Sequence, residues 1–198
     1  RAMNFLQSVT VTNLARSFAG ESQARNRYTF YAQQARMEKQ EALARLFEQT
    51  AENERAHAQE FLEKIQKYAE KSPLNLRIDA GYPYDIGNTA QNLQFAADGE
   101  RDEYQNAYPG FAELAKKEGY AEIAQLWMRI AGIEQQHCRT FTVMHMQLTN
   151  GTLYHKEQPV SWRCLNCGYV HSGTEPWQIC PVCGKPIGWV ALQLYAKG

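Results

Sequence analysis

Apolar side chains return every three or four positions from Thr10 to about residue 148, the spacing that gathers them on one face of an α-helix. The pattern predicts four helices, over roughly 10–37, 41–69, 89–117 and 120–148. Only Glu38 to Gln40 part the first two, and a short break at Gly119 parts the last two, so each pair reads as an antiparallel hairpin. The connecting stretch KSPLNLRIDAGYPYDIGN (71–88) holds two prolines and two glycines. It is too irregular for helix and long enough to carry the chain from one hairpin to the other.

The hairpins repeat one another. ARMEKQEALARLF (35–47) aligns with AKKEGYAEIAQLW (115–127), whereas AGE ending at Glu21 matches DGE ending at Glu100 with the register shifted by one. Helix three therefore carries one extra residue between Glu100 and Ala115. Pro109 lies in that interval and removes a ladder donor, so a π-bulge or kink is expected there.

Polar residues interrupt the buried stripes at mid-length. In helix two the stripe runs Leu43, Phe47, Thr50, Glu54, His57, Phe61, Ile65; in helix four it runs Trp127, Ile130, Glu134, His137, Phe141, Met144, Leu148. Helix one turns Glu21 inward with Leu14, Phe18 and Tyr28, and helix three turns Glu100 and Glu103 inward with Leu93, Ala97 and Phe111. A single inward glutamate is ordinarily a salt-bridged or half-exposed side chain. Here five glutamates and two histidines converge, no lysine shares their stripes, and Arg25 alone could not neutralise them. Buried carboxylates without partners are prohibitively costly or must take up protons. Two bound metal ions are the economical solution, and an oxygen-rich set with one imidazole per metal suits iron or manganese. One glutamate from each of two helices plus E-x-x-H from each of the others is the di-iron arrangement of a ferritin-like four-helix bundle.

Gly20 and Gly99 each precede one of these glutamates; close helix packing or room for a small ligand would compensate glycine's cost in a helix. Tyr28 lies two turns after Glu21, and Tyr108 lies near Glu103; both are candidates to hydrogen-bond the site or a bound oxidant.

Composition narrows the partners. Lys and Arg (21) balance Asp and Glu (21), so no strong field favours nucleic acid or an anionic membrane surface. No apolar run is long enough to span a bilayer and no signal peptide is evident, which reads as cytoplasmic. Four of the five cysteines lie in the tail as C-x-x-C-G twice, Cys164 and Cys167, then Cys180 and Cys183. Four thiolates at that spacing hold zinc or a single iron tetrahedrally, and a di-iron centre that needs single electrons favours iron, with zinc an alternative occupant. Cys138 reads as a small apolar residue, and His145, His155 and His171 as non-ligands. The domains are expected at 3–150, omitting Arg1 and Ala2 ahead of Met3, and at 151–198.

Taken together, AGESQARNRY, ENERAH, GERDEYQNAYPGF, AGIEQQH and WRCLNCGYVH resemble the rubrerythrin family across nearly the whole chain. The resemblance implies a ferritin-like di-iron bundle with a C-terminal rubredoxin-like domain. It implies a peroxidase that reduces hydrogen peroxide in oxidative-stress defence, with electrons drawn ultimately from NADH through a separate reductase or rubredoxin. It also implies a ligand set: Glu21, Glu54 and Glu134 on the first iron with Glu103 when oxidised or His57 when reduced, and Glu54, Glu100, Glu134 and His137 on the second. A head-to-tail homodimer, in which electrons cross between subunits, belongs to the same expectation. Two rivals stand beside it: a ferroxidase or iron-storage protein on the same bundle, and a non-enzymatic scaffold with a zinc ribbon.

Overall fold

The computed structural model of the protein describes residues 4–70 and 75–193. Met3, where the first domain is expected to begin, and residues 71–74 of the expected crossover lie outside the described residues. Five helices form the first part: α1 (Val9–Met37), α2 (Glu41–Ala69), α3 (Thr89–Asp102), α4 (Tyr108–Lys117) and α5 (Ala121–Thr149). A π-helical turn, Glu103–Ala107, joins α3 to α4, so the two make the expected third helix with its extra residue absorbed at the turn. The Tyr108 N–H bonds to the Glu103 carbonyl, one residue further back than in an α-helix. Pro109 follows immediately, so its missing donor falls where the α-helical ladder is already broken.

α1 packs on α2, and α3 and α4 pack on α5. The first helix of each hairpin starts at a side-chain cap: Ser8 accepts from the Val11 N–H (3.1 Å) at α1, and Asn88 and Gln91 form a capping box at α3. The repeat adds a reciprocal arrangement. Glu118, in the turn of the second hairpin, accepts from the N–H groups of Val9 (2.9 Å) and Thr10 (2.8 Å) at the start of α1. Its counterpart Glu38, in the turn of the first hairpin, accepts from the Thr89 N–H (3.0 Å) at the start of α3. Each hairpin thus supplies an anion to the positive end of the other's first helix.

The apolar core lies in two clusters with the inward glutamates between them. Leu14, Phe61, Ile123, Trp127 and Ile130 fill one, while Tyr31, Phe47, Leu93 and Phe141 fill the other. Phe47 and Phe141 stack at 5.5 Å, and the Trp127 indole donates to Ser17 Oγ at 2.9 Å. Removing either Phe61 or Phe47 to alanine would cost about 3–5 kcal/mol.

Residues 75–88 run without helix or strand along the bundle. Beyond α5 the tail forms an antiparallel sheet of β1 (Val160–Cys164), β2 (Val170–Gly173) and β3 (Val190–Leu192) in the order β2-β1-β3. It packs on the turn between α1 and α2. Arg45 Nη1 donates to the Leu165 carbonyl (3.2 Å) and its guanidinium lies over the Trp189 ring, and the Tyr154 hydroxyl donates to Gln40 (3.0 Å). Gly188 lies so close to the Lys39 carbonyl that no side chain fits.

Candidate metal centres

Glu21 and Glu134 are fully buried, Glu54 and Glu100 almost so; Glu21, Glu54 and Glu134 come from the middle of their helices and Glu100 from the last turn of α3 before the π turn. With the two histidines they form two overlapping quartets: Glu21, Glu54, His57 and Glu134, and Glu54, Glu100, Glu134 and His137, each with donor atoms within 4.8 Å of one another. His57 Nδ1 lies 2.8 Å from Glu134 and 3.1 Å from Glu54; His137 Nδ1 lies 2.7 Å from Glu134 and 3.2 Å from Glu54. The two rings face one another with centroids 6.0 Å apart and planes inclined by 26°.

These groups fit a pair of cations better than they fit one another. Oxygens of Glu21, Glu54, Glu100 and Glu134 and the Nδ1 of His137 are buried with no hydrogen-bond partner. Several of them stand within ion-pair distance of an imidazole nitrogen yet are misaligned for an N–H bond, as donors around a shared ion are. Without cations the cluster takes up protons instead. Burial first, then the charges of Glu54 and Glu134, push Glu21 and Glu100 well above the usual carboxylate range. Against burial, Glu100, Glu134 and Glu54 push His137 up to about 12, and Glu134, Glu21 and Glu54 raise His57 likewise. Burial would raise Glu54 also, but the two histidines hold it down at about 2.

Around the quartets the repeat places a second reciprocal pair. The Tyr28 hydroxyl donates to Glu100, and the Tyr108 hydroxyl donates to Glu21. Each tyrosine serves the glutamate of the other hairpin rather than one on its own helix, because a phenol spans the gap between facing helices. Asn53 Oδ1 lies 3.3 Å from His137 Nε2 and fixes that ring from behind. Its stripe position gives no sign of this role, since Asn53 itself is half-buried beside the inward Glu54.

Glu103 stands outside both quartets, at the start of the π turn, in the wall of a cavity of about 420 Å³. Burial raises its carboxyl well above the usual range, with Glu21, Glu100, Glu134 and Glu54 adding to it. Tyr28, Tyr108, Gly20 and Gly99 line the same cavity. A side chain at Gly99 would meet nothing within 4 Å, so that glycine leaves room, whereas one at Gly20 would press on the Tyr82 ring at 3.3 Å. Neither glycine serves close helix packing. Arg25 turns away from the cluster to Glu52 (3.5 Å).

In the tail, one sulfur from each of Cys164, Cys167, Cys180 and Cys183 lies within 4.8 Å of the others. Gly168 and Gly184 take positive φ (79° and 73°), a conformation glycine adopts without strain. The turns aim the N–H groups of Tyr169 and Lys185 at the sulfurs of Cys167 and Cys183, and Asn166 with Lys185 lowers the Cys183 thiol to about 6. Cys138 is buried, His145 bonds the Ala90 carbonyl (2.9 Å), His155 pairs with Glu175, and His171 is exposed; none joins a metal-ligand group among the described residues.

The family model described as Rubrerythrin matches residues 12–144, and the one described as Rubrerythrin, rubredoxin-like domain, matches residues 162–187. The chain belongs to the rubrerythrin family. It is 39% identical to the rubrerythrin of Porphyromonas gingivalis over 180 residues, 90% of this chain and 87% of that protein. It is 40% identical to the rubrerythrin of Nitratidesulfovibrio vulgaris over 180 residues, 90% of this chain and 91% of that protein. The solved structure of partially reduced nigerythrin superposes with a TM-score of 0.63 at 26% identity, covering 98% of this chain and 94% of that one. Rubrerythrins are oxidoreductases with a di-iron site; the quartets of the ferritin-like bundle are candidates for it, and the four cysteines form the rubredoxin-like knuckle, both consistent with iron. Among the described residues no helix is long and apolar enough to cross a membrane.

Proposed function

We propose that the chain is a cytoplasmic non-haem di-iron peroxidase that reduces hydrogen peroxide to water in oxidative-stress defence. The observation that carries this reading is the division of the donors: the imidazole of His57 completes the first quartet, while the carboxyl group of Glu103 lines a cavity against the same cluster. In this reading Glu21, Glu54, Glu134 and His57 would hold one iron, with Glu103 the anionic alternative to His57 for the oxidised ion, and Glu54, Glu100, Glu134 and His137 would hold the other. Hard anionic oxygen suits ferric iron, and ferrous iron tolerates neutral imidazole.

When bound, the iron pair supplies two electrons and a Lewis acid that stabilises the departing oxygen. Peroxide takes up two electrons and two protons, its O–O bond breaks, and two waters leave. Glu103, on the cavity side, is the proton carrier. Tyr28 and Tyr108 keep Glu100 and Glu21 in place, and Asn53 orients His137. Cys164, Cys167, Cys180 and Cys183 would hold one further iron, which would supply single electrons from a reductase or rubredoxin and ultimately from NADH. The domains divide at 150/151, and a second copy, head to tail, brings the knuckle of one chain to the bundle of the other.

Anaerobic stopped-flow oxidation of the diferrous protein tests the reading. Oxidation by peroxide at least ten times faster than by dioxygen is expected from about 1.4 kcal/mol of preference. The reverse order would make the protein a ferroxidase, and failure to bind iron in the bundle would remove both.

A further inference from the structure

The crossover segment does more than connect the hairpins. Residues Ala80 to Pro83 and Asp85 form one wall of the cavity that holds Glu103, and the rest of the lining comes from α1, α3, the π turn and the start of α4. Three hydrogen bonds tie this otherwise exposed segment to α1. The Tyr82 hydroxyl donates to the Arg16 carbonyl (2.7 Å), Arg16 Nε donates to the Asp79 carbonyl (3.0 Å), and the Tyr31 hydroxyl donates to the Asp85 carbonyl (2.6 Å). Two of the three meet at Arg16, one of them from Tyr82 itself, and the bonds at Asp79 and Asp85 flank Tyr82 along the segment. The Tyr82 ring therefore has a fixed seat, and that seat is the bare backbone of Gly20, next to the buried Glu21.

On the far side of the cavity Gly99 leaves open space beside Glu100. The two glycines thus act differently: one receives the ring that narrows the cavity, and the other keeps the interior clear. The charge of Glu103 reaches Tyr82, whose phenol is held above its ordinary value first by burial, against Arg16 and with Glu103 adding, so it remains a donor to the Arg16 carbonyl. Asp98 and Asp102 on α3 and Gly81 and Pro83 on the crossover segment are exposed at the rim, so the cavity opens to solvent between α3 and the segment that carries Tyr82.

We propose that the Tyr82 ring is the size filter of this cavity, admitting molecules as small as hydrogen peroxide to Glu103 and the glutamate cluster and excluding alkyl hydroperoxides. The inference rests on the peroxidase reading for its natural substrate, but the filter is testable apart from it. Tyr82→Ala should raise the rate of diferrous oxidation by tert-butyl hydroperoxide relative to hydrogen peroxide at least tenfold. Tyr82→Phe, which keeps the ring and loses only the hydroxyl, should stay within about threefold of the parent ratio. Tyr82→Leu, which keeps an apolar group on Gly20, should fall between them and serves if the alanine variant does not fold.

The second readout needs no redox chemistry. With cobalt(II) in the bundle, the rates at which azide and imidazole perturb the visible cobalt absorption should show imidazole excluded in the parent and admitted in Tyr82→Ala. Unchanged ratios in both assays, or a phenylalanine variant as open as the alanine one, would overturn the filter. So would azide failing to perturb the parent protein, since the cavity would then not lead to the metal. If peroxide fails to oxidise the parent diferrous protein quickly while the cobalt ratios shift, the peroxidase reading falls and the filter stands.

Discussion

The Tyr108 hydroxyl donates to Glu21 across the bundle, and Tyr108 is the first residue beyond the π turn. The extra residue of that turn lies between Glu103 and Tyr108. It therefore sets where the tyrosine falls, while Tyr28 makes the equivalent bond to Glu100 with no such insertion in its own helix. Both phenols are buried and held well above their ordinary pKa by burial first and by the neighbouring carboxylates, so both stay donors at every physiological pH.

Tyr108→Phe removes this donor and leaves a carboxylate oxygen of Glu21 without its partner in a dry interior. A buried hydrogen bond of this kind is worth about 1–3 kcal/mol once the orphaned partner is counted. Urea unfolding of the metal-free protein should show a loss in that range, and peroxide oxidation of the diferrous form should slow by up to about tenfold, equivalent to about 1.4 kcal/mol. Stability and rate both equal to the parent's would show that the bond does nothing for the site.

The four helices were legible because their stripes are long and strictly periodic, and because the second hairpin repeats the first: Glu54 and His57 recur as Glu134 and His137. The position of the π turn followed from the one-residue slip between Glu21 and Glu100. What escaped reading depends on which surfaces meet. Tyr28 and Tyr108 lie near Glu21 and Glu103 in sequence, but they bond the glutamates of the facing hairpin. Asn53 behind His137 and Tyr82 on Gly20 carry no periodic signal, since each acts on a helix or segment distant in the chain. The seat of the knuckle on the α1–α2 turn was equally hidden, because its contacts come from Arg45, Gln40 and the Lys39 carbonyl, which read as ordinary surface groups.

The cap exchange between the hairpins predicts a pH dependence. Burial would raise the Glu118 carboxyl, but the bonds from Thr10 and Val9 outweigh it and hold the folded-state value below the usual one. A depressed folded pKa contributes stability above the unfolded value of about 4.3, and that contribution fades as pH falls through the folded value. Glu118→Gln should therefore cost about 0.5–2 kcal/mol at pH 7, the range for a lost helix cap, and progressively less below pH about 4.3. Denaturant midpoints of both proteins across that range check it; a deficit that persists undiminished into acid would mean the charge is not the stabilising element.

Cys180 is buried in the knuckle and Cys167 is exposed at its rim. Cys180→Ser should abolish the red colour expected of a ferric tetrathiolate and stop turnover driven by a reductase. Oxidation of chemically reduced bundle iron by peroxide should continue, because the glutamate quartets share no residue with the tail. Loss of both activities together would place the cysteines in the peroxide step itself, against the proposed division of labour.

Glu103→Ala tests the division between holding metal and using it. Both quartets assemble without Glu103, so the variant should still bind two ferrous ions per chain, measured by iron titration under anaerobic conditions. Oxidation should suffer, because His57 would have no anionic replacement on the first iron and the cavity would lose its proton carrier. Removing one positioned acid–base group alone lowers rates by about 10²–10⁴-fold, so peroxide turnover should fall by at least the lower figure while ferrous binding holds. If binding fails instead, Glu103 is a permanent ligand and the exchange with His57 does not occur; if turnover is untouched, neither the exchange nor the proton transfer runs through this residue.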